Sequence, residues 1–122
     1  MNELEKNFWQ RWKRQLDKVS KKDLHYERIE NRMGTGIPDV MLCYKGLYAF
    51  VELKVHPNKR QANQRVWHRR HERVGGNVFT VTYKVRTGSC RIEVGYERSL
   101  PTDVPINGLL EIILGEISNG NI

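Results

Sequence analysis

Several features that would settle a reading quickly are scarce in this sequence of 122 residues. It has two cysteines, Cys43 and Cys90, and neither belongs to a CxxC or mixed Cys/His spacing. That excludes a disulfide framework or a zinc site as the basis of the fold, and both thiols are expected to be reduced and buried. No apolar run approaches the roughly 20 residues that span a bilayer. The opening residues, Met1 to Lys6, are charged at once and lead into no apolar signal core, so the expectation is a soluble, cytoplasmic protein with no membrane partner. Repeats, low-complexity tracts and linkers are missing too. Acids are in the minority, 14 against 21 Lys and Arg, for a formal net charge of +7. Such a balance points to a polyanionic partner, most commonly nucleic acid.

What is present fits one domain over residues 1–122. Hydrophobic residues make up 39% of the chain, enough for a core without disulfides. The basic excess is concentrated: residues 54–74 hold seven Lys and Arg (Lys54, Lys59, Arg60, Arg65, Arg69, Arg70, Arg73) against Glu72 alone. Residues 2–18 read as an amphipathic helix, with Phe8, Trp12 and Leu16, and Val19 just past its end, at helical spacing. Residues 25–32 have strand character, and Met33-Gly34-Thr35-Gly36 makes a tight loop. Residues 37–44 and 47–55 are apolar on both faces, as in central strands of a covered sheet, with Lys45-Gly46 turning between them. His56-Pro57-Asn58 breaks the pattern. A helix over 59–74 stops at Gly75-Gly76. Two strands, 77–85 and 91–97, flank a turn at 86–89, and a short helix covers 109–117. The order α-β-β-β-α-β-β-α predicts an α/β protein, a mixed central sheet flanked by helices.

A hairpin turning at Lys45-Gly46 pairs Tyr44 with Leu47, Cys43 with Tyr48, Leu42 with Ala49, Met41 with Phe50 and Val40 with Val51. Continued one step, it sets Asp39 opposite Glu52, with Cβ atoms ~4.5–5.5 Å apart. Lys54 lies two residues beyond Glu52 and shares its face. Two carboxylates this close repel, and a divalent cation relieves them. Oxygen donors favour Mg²⁺ or Mn²⁺ over zinc. A cation with an adjacent lysine is the equipment of phosphodiester hydrolysis, Lys54 orienting or deprotonating the water. The plain alternative is two solvated strand ends with a lysine salt-bridge partner.

The string Gly36-Ile37-Pro38-Asp39-Val40, then Glu52-Leu53-Lys54 after an apolar hairpin, resembles the signature of the PD-(D/E)XK nucleases. Downstream, Gln64-Arg65-Val66-Trp67 on a basic helix, then Gly75-Gly76 and a β-run, resembles the virus-type replication-repair (VRR-NUC) branch. It is also similar to small phage and archaeal Holliday-junction resolvases. The likeness covers about residues 3–85 and implies a restriction-endonuclease-like α-β-β-β-α-β core. It implies Asp39 and Glu52 as metal ligands, the Leu53 carbonyl as a further one, Lys54 on the attacking water, and Gln64 reaching the site, with Gln61 a rival one turn earlier. It also implies an acid on the first helix. Glu5 shares the face of Phe8, Trp12 and Leu16, Glu3 does not, and Glu30 is a further candidate. The implied activity is a Mg²⁺- or Mn²⁺-dependent endonuclease on branched DNA (Holliday junction or flap), in recombination or repair. A phage protein acting in its host cell and a homodimer making paired cuts both fit that branch.

Arg32, Lys59, Arg60, Arg65, Arg69 and Arg70 are the candidate DNA contacts, with Arg28 and the glycines Gly34 and Gly36 as further candidates beside a phosphate. The arginines of the 59–74 helix wrap around it, so some must be solvated. His68 and His71 read as a solvated or phosphate-facing side of that helix, and Trp9, Trp12 and Trp67 as core. The apolar segment 109–114 either caps the sheet or makes a dimer contact. Two other functions stay open: a restriction-like or nicking enzyme on ordinary duplex, and a binding module without catalysis. The second is expected to have lost an acid or the lysine, and Asp39, Glu52 and Lys54 are all present.

Overall fold

Asn2 opens the first helix. Its Oδ1 accepts the Glu5 N–H at 2.9 Å, satisfying one of the amides a helix start leaves without a partner. Helix α1 (Glu3–Leu16) then buries Phe8, Trp9, Trp12 and Leu16, the face its spacing predicts. The computed structural model describes residues 2–29 and 36–119. It continues with β1 (Leu24–Arg28), β2 (Val40–Tyr44), β3 (Leu47–Val55), α2 (Ala62–Arg73), β4 (Val78–Lys84), β5 (Ser89–Val94), β6 (Arg98–Ser99), β7 (Val104–Pro105) and α3 (Ile106–Asn119). Glu30, Arg32, Met33, Gly34 and Thr35 lie outside the described residues.

The strands form one 7-stranded mixed sheet in the order β1-β2-β3-β4-β5-β6, with β7 also pairing with β5. The β3–β4 pair is parallel and α2 is its crossover; the other pairs are antiparallel. Alternation divides the sheet by face. Val51, Leu53, Val55, Phe79, Val81 and Ile92 point into an apolar core closed by α1 and α3. Each such side chain, fully buried, contributes about 1.5–3 kcal/mol. Phe50, Glu52 and Lys54 point to the opposite face, where α2 lies.

All five expected pairs of the β2–β3 hairpin are present, from Tyr44↔Leu47 to Val40↔Val51. Lys45 and Gly46 both take positive φ, 49° and 85°, the backbone of a two-residue hairpin turn. The ladder stops one pair short of the expectation, since β2 begins at Val40. Pro38 has no N–H to donate, and Asp39 turns its side chain onto the neighbouring strand instead. The expected helix at 59–74 begins later, at Ala62, because Gln61 is still extended with φ −74° and ψ 166°. The last helix is longer than 109–117 and caps the core with Ile106, Leu109, Leu110, Ile113 and Ile117. No helix among the described residues is long and apolar enough to cross a membrane.

Candidate active site

Three elements bring their ends to one place: the start of α1, the open end of the β2–β3 hairpin, and the first turn of α2. Between them is a polar cleft of about 500 Å³ lined by Glu5, Asp39, Glu52, Lys54, Lys59 and Gln64, with Asn2, Asn58, Gln61 and Asn63.

Asp39 sits just past the ladder. Its Oδ2 accepts the Leu53 N–H at 2.8 Å. Arg28 braces it from β1, donating to the Asp39 carbonyl at 2.9 Å and lying 3.6 Å from Oδ1. A strand residue's N–H and C=O leave by the same edge. The Leu53 carbonyl therefore leaves toward Asp39 as well, which is where a third oxygen donor was expected.

Glu52 is 1% exposed. Burial, and then the Asp39 carboxylate that hydrogen-bonds to it, raise its pKa far above the usual carboxylate range, while Lys54 opposes them. Gln64 reaches it from α2. The Gln64 oxygen accepts the Gln61 N–H at 2.7 Å, which turns the amide nitrogen toward Glu52 Oε2 at 3.3 Å. Between the two glutamines, then, Gln64 reaches the carboxylate, and Gln61 shapes the helix start. Glu5 is buried at the edge of the cleft; its pKa is raised by burial first and by Asp39, with Lys54 and Arg28 opposing. Glu3 is exposed. Lys54 is buried in the same cleft.

Gly36 has φ +82°, and a Cβ there would collide with the Asn63 carbonyl of α2. The glycine ahead of Ile37-Pro38-Asp39 thus lets α2 approach.

His68 departs from the sequence reading. It is 0% exposed, not solvated, because α2 turns Gln64, Trp67, His68 and His71 onto the sheet. Its Nε2 lies 3.6 Å from Glu52 Oε1, and its Nδ1 lies 3.4 Å from Arg60 Nη1. Arginine can only donate, so Nδ1 accepts and the ring proton sits on Nε2, facing Glu52. Burial, then Arg60 and Lys54, push the His68 pKa down to about 3, so the ring is neutral at pH 7. Only a buried position on a sheet-facing stripe distinguishes this histidine, and in a helix so basic the stripe was hidden. Trp67 is half-buried, stacked on His71 and edge-on to Phe50.

The candidate DNA contacts divide. Lys59 lines the cleft, and Lys59, Arg60 and Arg65 line the groove beside it. Arg60 is largely spent internally, on Glu93 at 3.2 Å, the Tyr96 carbonyl at 3.3 Å and His68. Arg69 lies over the Tyr96 ring and Arg70 is exposed; neither lines the cleft or the groove.

The donor chemistry fits a hard divalent cation. Two facing carboxylates and a carbonyl supply oxygen, and Glu52 Oε1 is buried with no hydrogen-bond partner. Among the described residues no three His, Cys, Asp or Glu side chains gather to enclose a metal. A cation here would draw part of its shell from water, as Mg²⁺ commonly does.

A mixed sheet with a parallel β3–β4 step, and a hairpin ending in two acids and a lysine answered by a glutamine from the crossover helix, define an α/β fold with its polar cleft at the open end of the hairpin. Among solved structures the chain is similar to a VRR_NUC domain, with a TM-score of 0.55 and 21% identity over 68% of this chain and 87% of that one. It is also similar to Hjc of Archaeoglobus fulgidus, a Holliday junction resolvase from an archaeal hyperthermophile, with a TM-score of 0.52 and 15% identity over 82% of this chain and 98% of that one. At these identities the likeness is one of fold, and at that level it agrees with the resemblance seen in the sequence. No protein-family model and no curated protein matches the chain.

Proposed function

We propose that this protein is a Mg²⁺- or Mn²⁺-dependent deoxyribonuclease that cuts branched DNA, a Holliday junction or a flap. One observation carries the reading: Glu5, Asp39, Glu52, Lys54 and Gln64, chosen from the sequence for this chemistry, line a single cleft on a fold shared with a resolvase. Asp39, Glu52 and the Leu53 carbonyl would hold the cation. When bound, the cation supplies a water of lowered pKa and stabilises charge on the phosphate. Lys54 orients the attacking water. Water adds to phosphorus, the P–O3′ bond breaks, and the products are a 5′-phosphate and a 3′-hydroxyl. Gln64 holds one oxygen of Glu52, and His68 faces the other at 3.6 Å. Glu5 adds a third carboxyl whose charge Lys54 favours.

Selection by shape accords with the basic surface and with the lack of any sequence-reading module. A homodimer would supply the two sites that paired cuts on a junction require, and the setting would be DNA recombination or repair within a cell.

The test is cleavage of labelled four-way junction, flap, linear duplex and single strand by wild type and Glu52→Gln, with Mn²⁺, Mg²⁺ or EDTA. Metal-dependent junction cutting by wild type, lost at least a hundredfold in Glu52→Gln, is expected. Equal rates on linear duplex would replace the branched substrate with ordinary duplex. Cutting that survives Glu52→Gln would remove this cleft as the active site.

A further inference from the structure

The sheet face that carries Glu52 is only partly covered. Helix α2 lies over Phe50 and Glu52, and beyond it the same face stays open as a groove of about 540 Å³. The strand register sets its floor. Lys54 pairs with Thr82 and Thr82 with Arg91, one row across three strands, with Thr80↔Glu93 and Lys84↔Ser89 on either side. At ~4.8 Å between strands that row is about 10 Å long. The connection into α2 makes the wall, with Asn58, Lys59, Arg60 and Arg65.

Cations dominate this groove. Its one acid, Glu93, is bound by Arg60 at 3.2 Å, which leaves Lys54, Lys59, Arg65, Lys84 and Arg91. Asp103 holds Lys84 at 2.6 Å at the far end, and Arg91 is exposed, donating to Ser99 Oγ at 3.1 Å. Thr80 Oγ1 is buried with no hydrogen-bond partner. Among the described residues no Phe, Tyr or Trp lines the groove and His56 is its one aromatic ring, so it offers phosphates charge and hydroxyls but offers bases little to stack on. Lys54, Asn58 and Lys59 line both this groove and the cleft, so the two are continuous.

Taking the scissile phosphate to lie at Asp39 and Glu52 as proposed above, we infer that the nucleic-acid strand leaves the cleft past Lys54 and runs along this groove. Arg91 and Lys84, which nothing in the sequence singled out, are its outer phosphate contacts. A row of about 10 Å is long enough to meet neighbouring phosphates of one strand.

The experiment measures binding of a labelled single-stranded oligonucleotide and a labelled four-way junction over a salt series in EDTA. The protein carries Glu52→Gln throughout, so that cleavage does not intrude. Arg91→Ala is expected to flatten the slope of log K against log[salt] by about 0.7–0.9, and Arg91→Ala with Lys84→Ala by about twice that. Lys18→Ala with Lys21→Ala removes as much charge just past the far end of α1 and should leave the slope unchanged. If the double variant melts early because Asp103 loses its partner, Arg91→Ala alone decides. An unchanged slope in Arg91→Ala overturns the groove, and junction cutting by the parent protein would then leave the nuclease reading standing. A reduced slope without cutting supports the groove and removes the nuclease reading. Failure of every variant to bind removes both.

Discussion

At the residue scale, Glu52 shows how much arrangement one buried carboxylate needs. Gln64 approaches one oxygen and His68 faces the other, and Arg60 sets which His68 nitrogen carries the proton. His68→Ala should cost about 1–3 kcal/mol, because it leaves Arg60 short of an acceptor and opens a cavity beside the buried Glu52. It should also lower kcat while junction affinity stays near wild type. His68→Gln, which keeps an N–H donor, should recover part of the rate. A thermal melt with single-turnover cleavage reads both effects, and an unchanged kcat in a folded His68→Ala would show that the ring only fills space. The shared placement of Asp39, Glu52 and Lys54 was legible in the sequence because a hairpin register is a local rule, while Gln64 was singled out by the family resemblance alone. His68 was not, because which side of a basic helix meets the sheet is decided by packing partners distant in the chain.

At the element scale, the loop before β2 and the start of α2 are fitted to each other. Gly36 is the point of contact, with positive φ and the Asn63 carbonyl against its Cα. Gly36→Ala should lose roughly 1–3 kcal/mol from the backbone conformation alone. It should lose more because α2, and Gln64 with it, must move off the cleft. Gly88 also has positive φ, but nothing lies within 4 Å of a Cβ built there. Gly88→Ala is therefore the control: it should lower the melting temperature less and leave cleavage intact. Equal losses in both variants would mean that Gly36 matters for its φ only. In the sequence alone, Gly36 is explained equally by simple turn chemistry and by an approaching phosphate. The second helix that the glycine admits lies 27 residues further along the chain and could not be inferred from the motif itself.

At the scale of the whole molecule, one side of the sheet carries the apolar core and the other the candidate site. Cys90 belongs to the core side: it is 0% exposed, and burial, helped by Asp103, pushes its thiol up to about 12. The unfolded chain ionises this thiol near pH 9 and the folded chain resists, so its contribution to stability is full below pH 9 and is lost as pH rises toward 12. Melting temperatures from pH 8 to 10.5 should therefore fall more steeply for wild type than for Cys90→Ala; parallel curves would show that the thiol is not held in the folded core.

The sequence by itself determined the order of the longer elements, though not the short strands β6 and β7, the hairpin register that carries Glu52 and Lys54 to one face, and the presence of two acids and a lysine suited to a cation and a phosphate. Those follow from periodicities of two and 3.6 residues and from turn chemistry, which act over short stretches of chain. The tertiary structure decided that Asp39 leaves the ladder for the Leu53 amide. It also decided that His68 is buried and Arg60 spent inside, and that Lys84 and Arg91 extend the basic path. Each of these depends on which surfaces meet when α1 and α2 close on opposite faces of the sheet, and that is set by burial of area summed over the whole chain.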